Sequence, residues 1–169
     1  DGSGGAAWEA PGAASMTVGL VAQYYWSNIY WSRTNTALGT FDDAASTAPT
    51  LEATGSFGTP LTTATTKPAV TVNSLPAGTY SVILCSTLGQ GSAGANVYAA
   101  LNDGSTTSGT ILKSGAASEL NPFCSEAVFV YGGSGNVTFT AWGAASASSV
   151  TIYSGTTTAR TTLRIDKIK

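Results

Sequence analysis

This chain of 169 residues contains no histidine and very few charged residues. Without histidine it lacks the commonest general base and the commonest metal ligand, so no Ser-His-Asp or Cys-His nucleophile can be built from it. A glycosidase needs only two carboxylates. The only adjacent acidic pair, however, is Asp42-Asp43, which opens a polar stretch and is typical of solvated turn residues. We therefore expect a protein that is not an enzyme and that needs no cofactor.

Basic residues and long apolar runs are also scarce. The net charge is −2, and the seven Lys and Arg residues are scattered apart from a group near the C-terminus, which is no electrostatic footprint for nucleic acid. No apolar run approaches the roughly 18 residues of a membrane span. The sequence therefore predicts neither nucleic-acid binding nor membrane insertion.

The two cysteines, Cys85 and Cys124, each lie inside an apolar segment. Two cysteines without histidine fall short of the four-ligand pattern of a zinc site, so no metal is expected. Burial in apolar strands favours two reduced thiols. A disulfide between neighbouring strands is the alternative.

What the sequence does contain is typical of an antiparallel β-sandwich. About half of the residues are Gly, Ala, Ser or Thr, which suits β-strands with small polar side chains on their solvated faces. Short apolar or alternating segments end at turn signals about every ten residues. The segments expected to form strands are AVTV, TYSVILCS, ANVYAAL, TILK, EAVFVY, NVTFTAW, SVTIYS and TTLRIDKI.

Composition divides the chain into an arm and one domain. Residues 1–14 are rich in Gly and Ala and are expected to form a flexible arm or linker, followed by a single β-sandwich domain over residues 15–169. Within it, residues 42–67 are rich in Thr, Ser and Ala. They are expected to form a long loop with short edge strands around Leu51 and Leu61.

Residues 23–31, QYYWSNIYW, hold five aromatic side chains. In one continuous strand, Tyr25 and Trp31 would share one face, and Tyr24, Trp26 and Tyr30 the other. Because both faces carry large rings, we expect a seam between the chain's own core and a neighbouring chain, so that Trp26→Ala weakens assembly before it unfolds the subunit. Core packing alone and a sugar-binding platform are the alternatives. The residues expected at an interface or ligand contact are Tyr24, Tyr25, Trp26, Tyr30, Trp31, Trp142 and Tyr153.

Residues 75–169 resemble the C1q/TNF-like jelly-roll modules at the tips of viral and bacterial surface appendages. The matching segments are LPAGTYSVIL, VYAALNDG, VFVYGGSGNVTFTAW and the closing TTLRIDKIK, which is similar to the ends of many tailed-bacteriophage fibre and head-appendage proteins. The resemblance implies a jelly-roll sandwich that assembles as a homotrimer.

The same resemblance implies a non-enzymatic structural role at the virion surface or outside the cell. The domain would be a fibre tip or a capsid or tail decoration that mediates trimer assembly and attachment, with its N-terminal arm bound to other structural proteins. A host-surface glycan is the attachment partner to expect. The alternative function is a carbohydrate-binding domain whose exposed aromatic rings stack on sugars.

Overall fold

The computed structural model describes residues 18–27, 29–41, 43–45, 49–54, 60–61, 69–117, 119–133, 135–154 and 160–169. This part of the chain forms β-strands and contains no helix that could cross a membrane. The strands are β1 (Gly19–Trp26), β2 (Ile29–Arg33), β3 (Gly39–Thr40), β4 (Asp43–Ala45), β5 (Thr50–Thr54), β6 (Pro60–Leu61), β7 (Ala69–Leu75), β8 (Gly78–Gln90), β9 (Asn96–Asn102), β10 (Thr107–Ser114), β11 (Leu120–Tyr131), β12 (Gly135–Ala145), β13 (Val150–Ser154) and β14 (Thr161–Lys167).

The strands form two antiparallel sheets. In the first sheet β8 pairs with β11 along one edge, and β13 and β14 lie end to end along its other edge. β13 then pairs with β2 and β14 with β1, and these are followed by β4 and β5. In the second sheet the order is β10, β9, β12, β7 and β6, and β3 also pairs with β12. The predicted all-β, antiparallel sandwich is confirmed.

The core lies between the two sheets, where alternate residues of each strand turn inward. In β11 the buried positions are the odd-numbered ones from Phe123 to Phe129, and in β12 they include Val137, Phe139 and Ala141. Phe129 of the first sheet meets Phe139 of the second, with ring centroids 5.6 Å apart. This pair ties the two sheets together across the sandwich.

The aromatic segment 23–31 is two strands rather than one. β1 ends at Trp26 and β2 begins at Ile29. In the strands that pair with them, β13 ends at Ser154 and β14 begins at Thr161. The Ser154 hydroxyl donates to the Trp26 carbonyl oxygen over 3.1 Å and so satisfies the backbone at the break. Because the break changes the alternation, Trp26 and Trp31 both turn into the core. Their rings meet edge to face with centroids 5.4 Å apart.

The two cysteines form a disulfide. Cys85 of β8 lies directly opposite Cys124 of β11 in the strand register, and both point away from the core, with Cys124 exposed. The expectation of two buried reduced thiols is therefore wrong, because the apolar residues around the cysteines fill the inner face while the cysteines occupy the outer one. The chain carries the cross-strand bond that was the alternative.

Other predicted boundaries differ from the structure in detail. The arm at residues 1–14 lies outside the described residues. The interval 42–67, expected to be a long loop with short edge strands around Leu51 and Leu61, contains β5 with Leu51 and β6 with Leu61 as well as β4, which was not expected, and the rest of it is outside the described residues. β11 begins at Leu120, six residues before the predicted segment EAVFVY, and includes Pro122. Proline is tolerated there because β11 pairs only with β8 and its other edge needs no donor.

Candidate functional site

The exposed large apolar side chains are concentrated on one side of the sandwich. All of them, among the described residues, lie in strands of the first sheet or directly beside its strands β1 and β14. They are Val18, Tyr30, Leu51, Leu120, Val128, Val130, Tyr153 and Ile168. Leu51 lies opposite the core residue Tyr24 and is exposed at the sheet edge, whereas the register places Tyr30, Leu120, Val128, Val130 and Tyr153 on the side away from the core. That side of the first sheet, called the outer face below, is therefore the candidate functional site.

The register between β11 and β8 shows which side chains of β11 lie on the outer face. Residues directly opposite each other in an antiparallel pair point to the same side. Val128 lies opposite Ser81, and Val130 opposite Thr79, which places the valines on the outer face. Val130 is 80% exposed, more than any other large apolar side chain described. A β-branched side chain in that position loses contact with water only if something else covers the sheet.

Two tyrosines mark the other end of the face. Tyr30 of β2 and Tyr153 of β13 are direct cross-strand partners, and 50% and 41% of their surfaces are exposed. With Leu120 of β11 they border a groove of about 340 Å³. The groove floor includes Gly89, where a Cβ atom would lie 2.8 Å from a methyl carbon of Leu120. The outer face therefore has a groove between projecting side chains and is not flat.

Several polar groups on the outer face are paired with one another. Arg164 and Asp166 form an ion pair with Nε and Oδ2 2.6 Å apart, and the hydrogen bond and charge of Asp166 raise the pKa of Arg164 above its usual value. The Ser81 hydroxyl donates to Glu126 Oε1 over 2.6 Å. Such groups can be covered by another surface without being left unpaired, which removes much of the penalty of burying them.

A second groove, of about 460 Å³, surrounds the disulfide. Pro122 and Cys124 border it on one side and Arg160 on the other. The Arg160 guanidinium lies over the ring of Tyr25, 4.2 Å from its centroid, and its Nη1 is 3.8 Å from Glu52 Oε1. This cation is therefore held against the sheet and does not project from it.

Of the residues expected at an interface or ligand contact, Tyr24, Trp26 and Trp31 are buried in the chain's own core. They are corrections to the sequence-based assignment, because a side chain with at most 2% exposure cannot contact another molecule. Burial also raises the pKa of Tyr24 to about 12. Its hydroxyl, like Trp31 Nε1, has no hydrogen-bond partner among the described residues.

The remaining predicted contacts divide between the two sheets. Tyr25, Tyr30 and Tyr153 lie on the outer face of the first sheet, and Trp142 lies half-buried on the second. The sequence interpretation missed Leu120, Val128 and Val130. Their signal was readable, since the side of LNPFCSEAVFVY that carries Cys124 is apolar at every position except Glu126, while Phe123 and Phe129 supply apolar side chains to the core side. A strand that is apolar on both sides is typical of one that is covered on both sides.

Among the residues described, no group of three or more His, Cys, Asp or Glu side chains is arranged to hold a metal ion. The chain matches no family model and none of the curated proteins. It does match solved structures. The crystal structure of murine APRIL at pH 8.0 has a TM-score of 0.53 and 14% identity, and the match covers 90% of this chain and 100% of that one.

Two further crystal structures of murine APRIL, at pH 8.5 and pH 5.0, each match with a TM-score of 0.48. Their identities are 12% and 14%, the matches cover 87% and 84% of this chain, and they cover 98% and 100% of those chains. APRIL is a TNF-family jelly-roll protein, so the fold of this chain is a TNF-like jelly roll. At this identity the likeness concerns the fold alone.

Proposed function

We propose that this chain is a non-enzymatic assembly and attachment domain, which self-associates as a homotrimer through the outer face of its first sheet. The observation that carries the proposal is the concentration of exposed large apolar side chains on that sheet. Contiguous exposed apolar patches mark interaction sites in soluble proteins. The core of a self-association interface is richer in apolar and aromatic groups than the rest of the surface.

A second copy of the chain is the occupant that this face fits. Arg164 is paired with Asp166 and Arg160 lies 3.8 Å from Glu52, while the Glu126 carboxylate accepts a hydrogen bond from Ser81. Most of the charge described on this face is therefore balanced within the chain, which favours an apolar partner surface over a strongly charged one. The grooves beside Tyr153 and around the disulfide can accept projecting side chains such as Val130 from a neighbour. The TNF-like fold supports three copies in particular, since the neighbours of this fold are trimeric.

We further propose that the trimer is an appendage of a virion or another extracellular surface, bound to structural proteins through the N-terminal arm. The low charge, the surface of Thr, Ser, Gly and Ala, and the resemblance of residues 75–169 to bacteriophage appendage modules support this location. The disulfide supports it as well, because such bonds persist in oxidising environments and are rare in the cytosol. The neighbouring genes test the virion assignment: genes for tail or capsid proteins are expected beside this one.

Light scattering of the purified chain tests the assembly. We expect three times the chain mass of 17.0 kDa. Val130→Glu would place one carboxylate per subunit in the covered surface, so it should reduce the mass to that of one chain without changing the β-sheet signal in circular dichroism. Thr110→Glu is the matched control, because Thr110 is an exposed strand position on the second sheet and should leave the trimer intact.

The two parts of the proposal have separate negative outcomes. A wild-type chain that stays monomeric at the highest concentration measured would contradict trimer assembly. A trimer that survives Val130→Glu unchanged would instead contradict the assignment of the outer face.

A further inference from the structure

The second sheet presents a surface of different chemistry from the first. Its outward positions on β7, β9 and β12 carry hydroxyl, amide, methyl and aromatic side chains, and none of those described carries a charge. These positions include Thr71, Tyr98, Ala100, Asn102, Thr138, Thr140, Trp142 and Ala144. None of the large, mostly exposed apolar side chains lies here. Ala100, Asn102 and Ala144 are already buried within the chain. In a trimer built on the first sheet, the half-buried positions such as Tyr98 and Thr140 stay open to solvent.

Large and small side chains alternate across β9 and β12. Tyr98 lies opposite Ala144, and Trp142 lies opposite Ala100. Each ring thus has a methyl group as its direct neighbour. Ala100 beside Trp142 is fully buried, whereas the small side chain of Ala144 leaves space beside Tyr98. A shallow groove of about 180 Å³ occupies that space beside Tyr98 and Ala144. Thr36, Leu38 and Thr110 complete its lining.

Arg33 holds the loop that forms one wall of the groove. Its Nη1 donates to the Thr40 carbonyl oxygen over 2.6 Å, and its Nε and Nη2 donate to the Ala37 carbonyl oxygen over 3.2 and 2.9 Å. Asn35 Oδ1 accepts from the Ala37 N–H over 2.8 Å, and the Asn35 carbonyl oxygen accepts from the Ala145 N–H over 3.0 Å. Thr36 and Leu38 are thereby placed before any ligand arrives, which reduces the entropy lost on binding.

We propose that this groove binds a neutral glycan. A pyranose ring is apolar on its C–H face and hydroxyl-rich at its rim, which matches a tyrosine ring beside threonine hydroxyls. Tyr98 would stack on the C–H face, while Thr36 and Thr110 exchange hydrogen bonds with the sugar hydroxyls. The inference deepens the proposed attachment function and rests on it, since it names the class of ligand that each subunit would bind.

The charge and shape of the second sheet favour a neutral sugar over other ligands. A phosphate-bearing or acidic ligand would require basic side chains, and the outward positions of β7, β9 and β12 that the structure describes have none. A stable protein partner would cover about 800 Å² per side around buried apolar anchors. The described part of the second sheet has no exposed apolar anchor of that kind. A trimer would present three such grooves, so weak binding at each could add up to firm attachment to a repeating polysaccharide.

Isothermal titration calorimetry with cellohexaose, maltohexaose and chitohexaose tests the proposal on the full chain. We expect at least one of the three to bind. Tyr98→Ala should weaken that binding by tenfold or more, whereas Tyr98→Phe, which keeps the ring, should retain affinity within a few-fold. Thr110→Glu is a second variant that does not alter the core, and its carboxylate at the rim should also reduce binding.

Absence of binding heat with all three oligosaccharides would overturn the inference, and so would binding that Tyr98→Ala and Thr110→Glu leave unchanged. Light scattering on the same samples separates this result from the assembly proposal. A trimer that binds none of the three sugars contradicts only the glycan site, and a monomer that binds one contradicts only the trimer.

Discussion

Gly109 lies where β10 approaches the backbone of β11 at the side of the sandwich. Its φ of +69° is in the left-handed region, and a Cβ atom there would be 2.5 Å from the Glu126 carbonyl oxygen. The Ser125 hydroxyl donates to the Gly109 carbonyl oxygen at the same crossing. Only a residue without a side chain allows the two sheets to meet here.

We therefore expect Gly109→Ala to destabilise the chain by at least the roughly 1–3 kcal/mol that left-handed backbone strain costs. Gly104→Ala is the control, because Gly104 also has a positive φ, +97°, but nothing lies within 4 Å of its Cβ position. Urea unfolding measures the loss of unfolding free energy in both variants. The loss in Gly104→Ala reports backbone strain alone, and the additional loss in Gly109→Ala reports the clash with β11. Equal losses in the two would show that the contact with β11 is unimportant.

Trp26 illustrates how a core residue was mistaken for a contact residue. It is 2% exposed and packs edge to face on Trp31, so Trp26→Ala should destabilise the folded subunit by about 3–5 kcal/mol. Tyr153→Ala, at a position 41% exposed, should have a much smaller effect on subunit stability. Thermal unfolding at equal protein concentration, with Val130→Glu as the background, compares the two as monomers. A larger loss for Tyr153→Ala would contradict the burial assignment.

Asp103 provides a pH dependence. Desolvation by burial raises the pKa of its carboxyl, but hydrogen bonds from the Thr106 N–H, the Ser105 N–H and the Ser105 hydroxyl outweigh this and lower it. A lowered pKa in the folded state stabilises the fold above the unfolded-state pKa of about 3.9, and this stability is lost as pH falls through the folded-state value.

Asp103→Asn should therefore be less stable than the wild type at pH 7, and the difference should shrink as the pH is lowered below about 4. Urea midpoints at pH 7 and pH 3 measure it. A difference of the same size at both pH values would contradict the role of the carboxylate charge.

At the scale of elements, β8 and β11 form the most extensively paired strands of the first sheet. Their register runs without a bulge from Leu120 opposite Gly89 to Tyr131 opposite Gly78, and the disulfide joins them near the middle. The bond closes a loop with a sequence separation of 39 residues. In the chain-entropy description, such a cross-link stabilises by restricting the unfolded chain.

Replacing both cysteines, Cys85→Ala with Cys124→Ala, should lower the free energy of unfolding by about 2–4 kcal/mol and leave the β-sheet signal unchanged, because the backbone pairing remains. Wild-type protein in excess reductant should unfold with the same lowered midpoint. If reductant shifts the wild type and the double variant equally, the bond is not the source of the stability.

Strand alternation explains which elements were predictable. NVTFTAW and TTLRIDKI alternate cleanly and correspond to β12 and β14. The break between β1 and β2 was not predictable, because Ser27-Asn28 is no stronger a turn signal than many Ser and Asn pairs that lie within strands. The break coincides with a long-range hydrogen bond, from Ser154 to Trp26, between residues 128 positions apart in the chain. The alternation of apolar and polar residues within one strand gives no information about such long-range contacts.

At the scale of the whole molecule, trimer assembly would link stability to concentration. Because only the folded chain can associate, the melting temperature of the wild type should rise with protein concentration. That of Val130→Glu should not. Differential scanning calorimetry over a hundredfold concentration range checks this, and a wild-type melting temperature that is independent of concentration would contradict assembly.

The candidate site was only partly predictable for a reason that also applies at this scale. Composition identified aromatic side chains as contacts, and Tyr30 and Tyr153 do lie on the outer face. Val128 and Val130 were not singled out as contacts, because apolar residues in strands usually belong to the core. Whether the second side of a strand faces its own core or a neighbouring molecule depends on how the sheets stack, which a single sequence does not state.

The position of the disulfide has a consequence for the order of oxidation and assembly if the trimer forms as proposed. Cys124 is exposed in the subunit, on the same face that the proposed trimer covers. Oxidants can reach the two thiols while the subunit is alone, and the neighbouring chain would shield the finished bond afterwards. If the chain assembles as proposed, disulfide formation would therefore precede trimerisation, and a subunit that associated before oxidation would keep its two thiols unpaired inside the trimer.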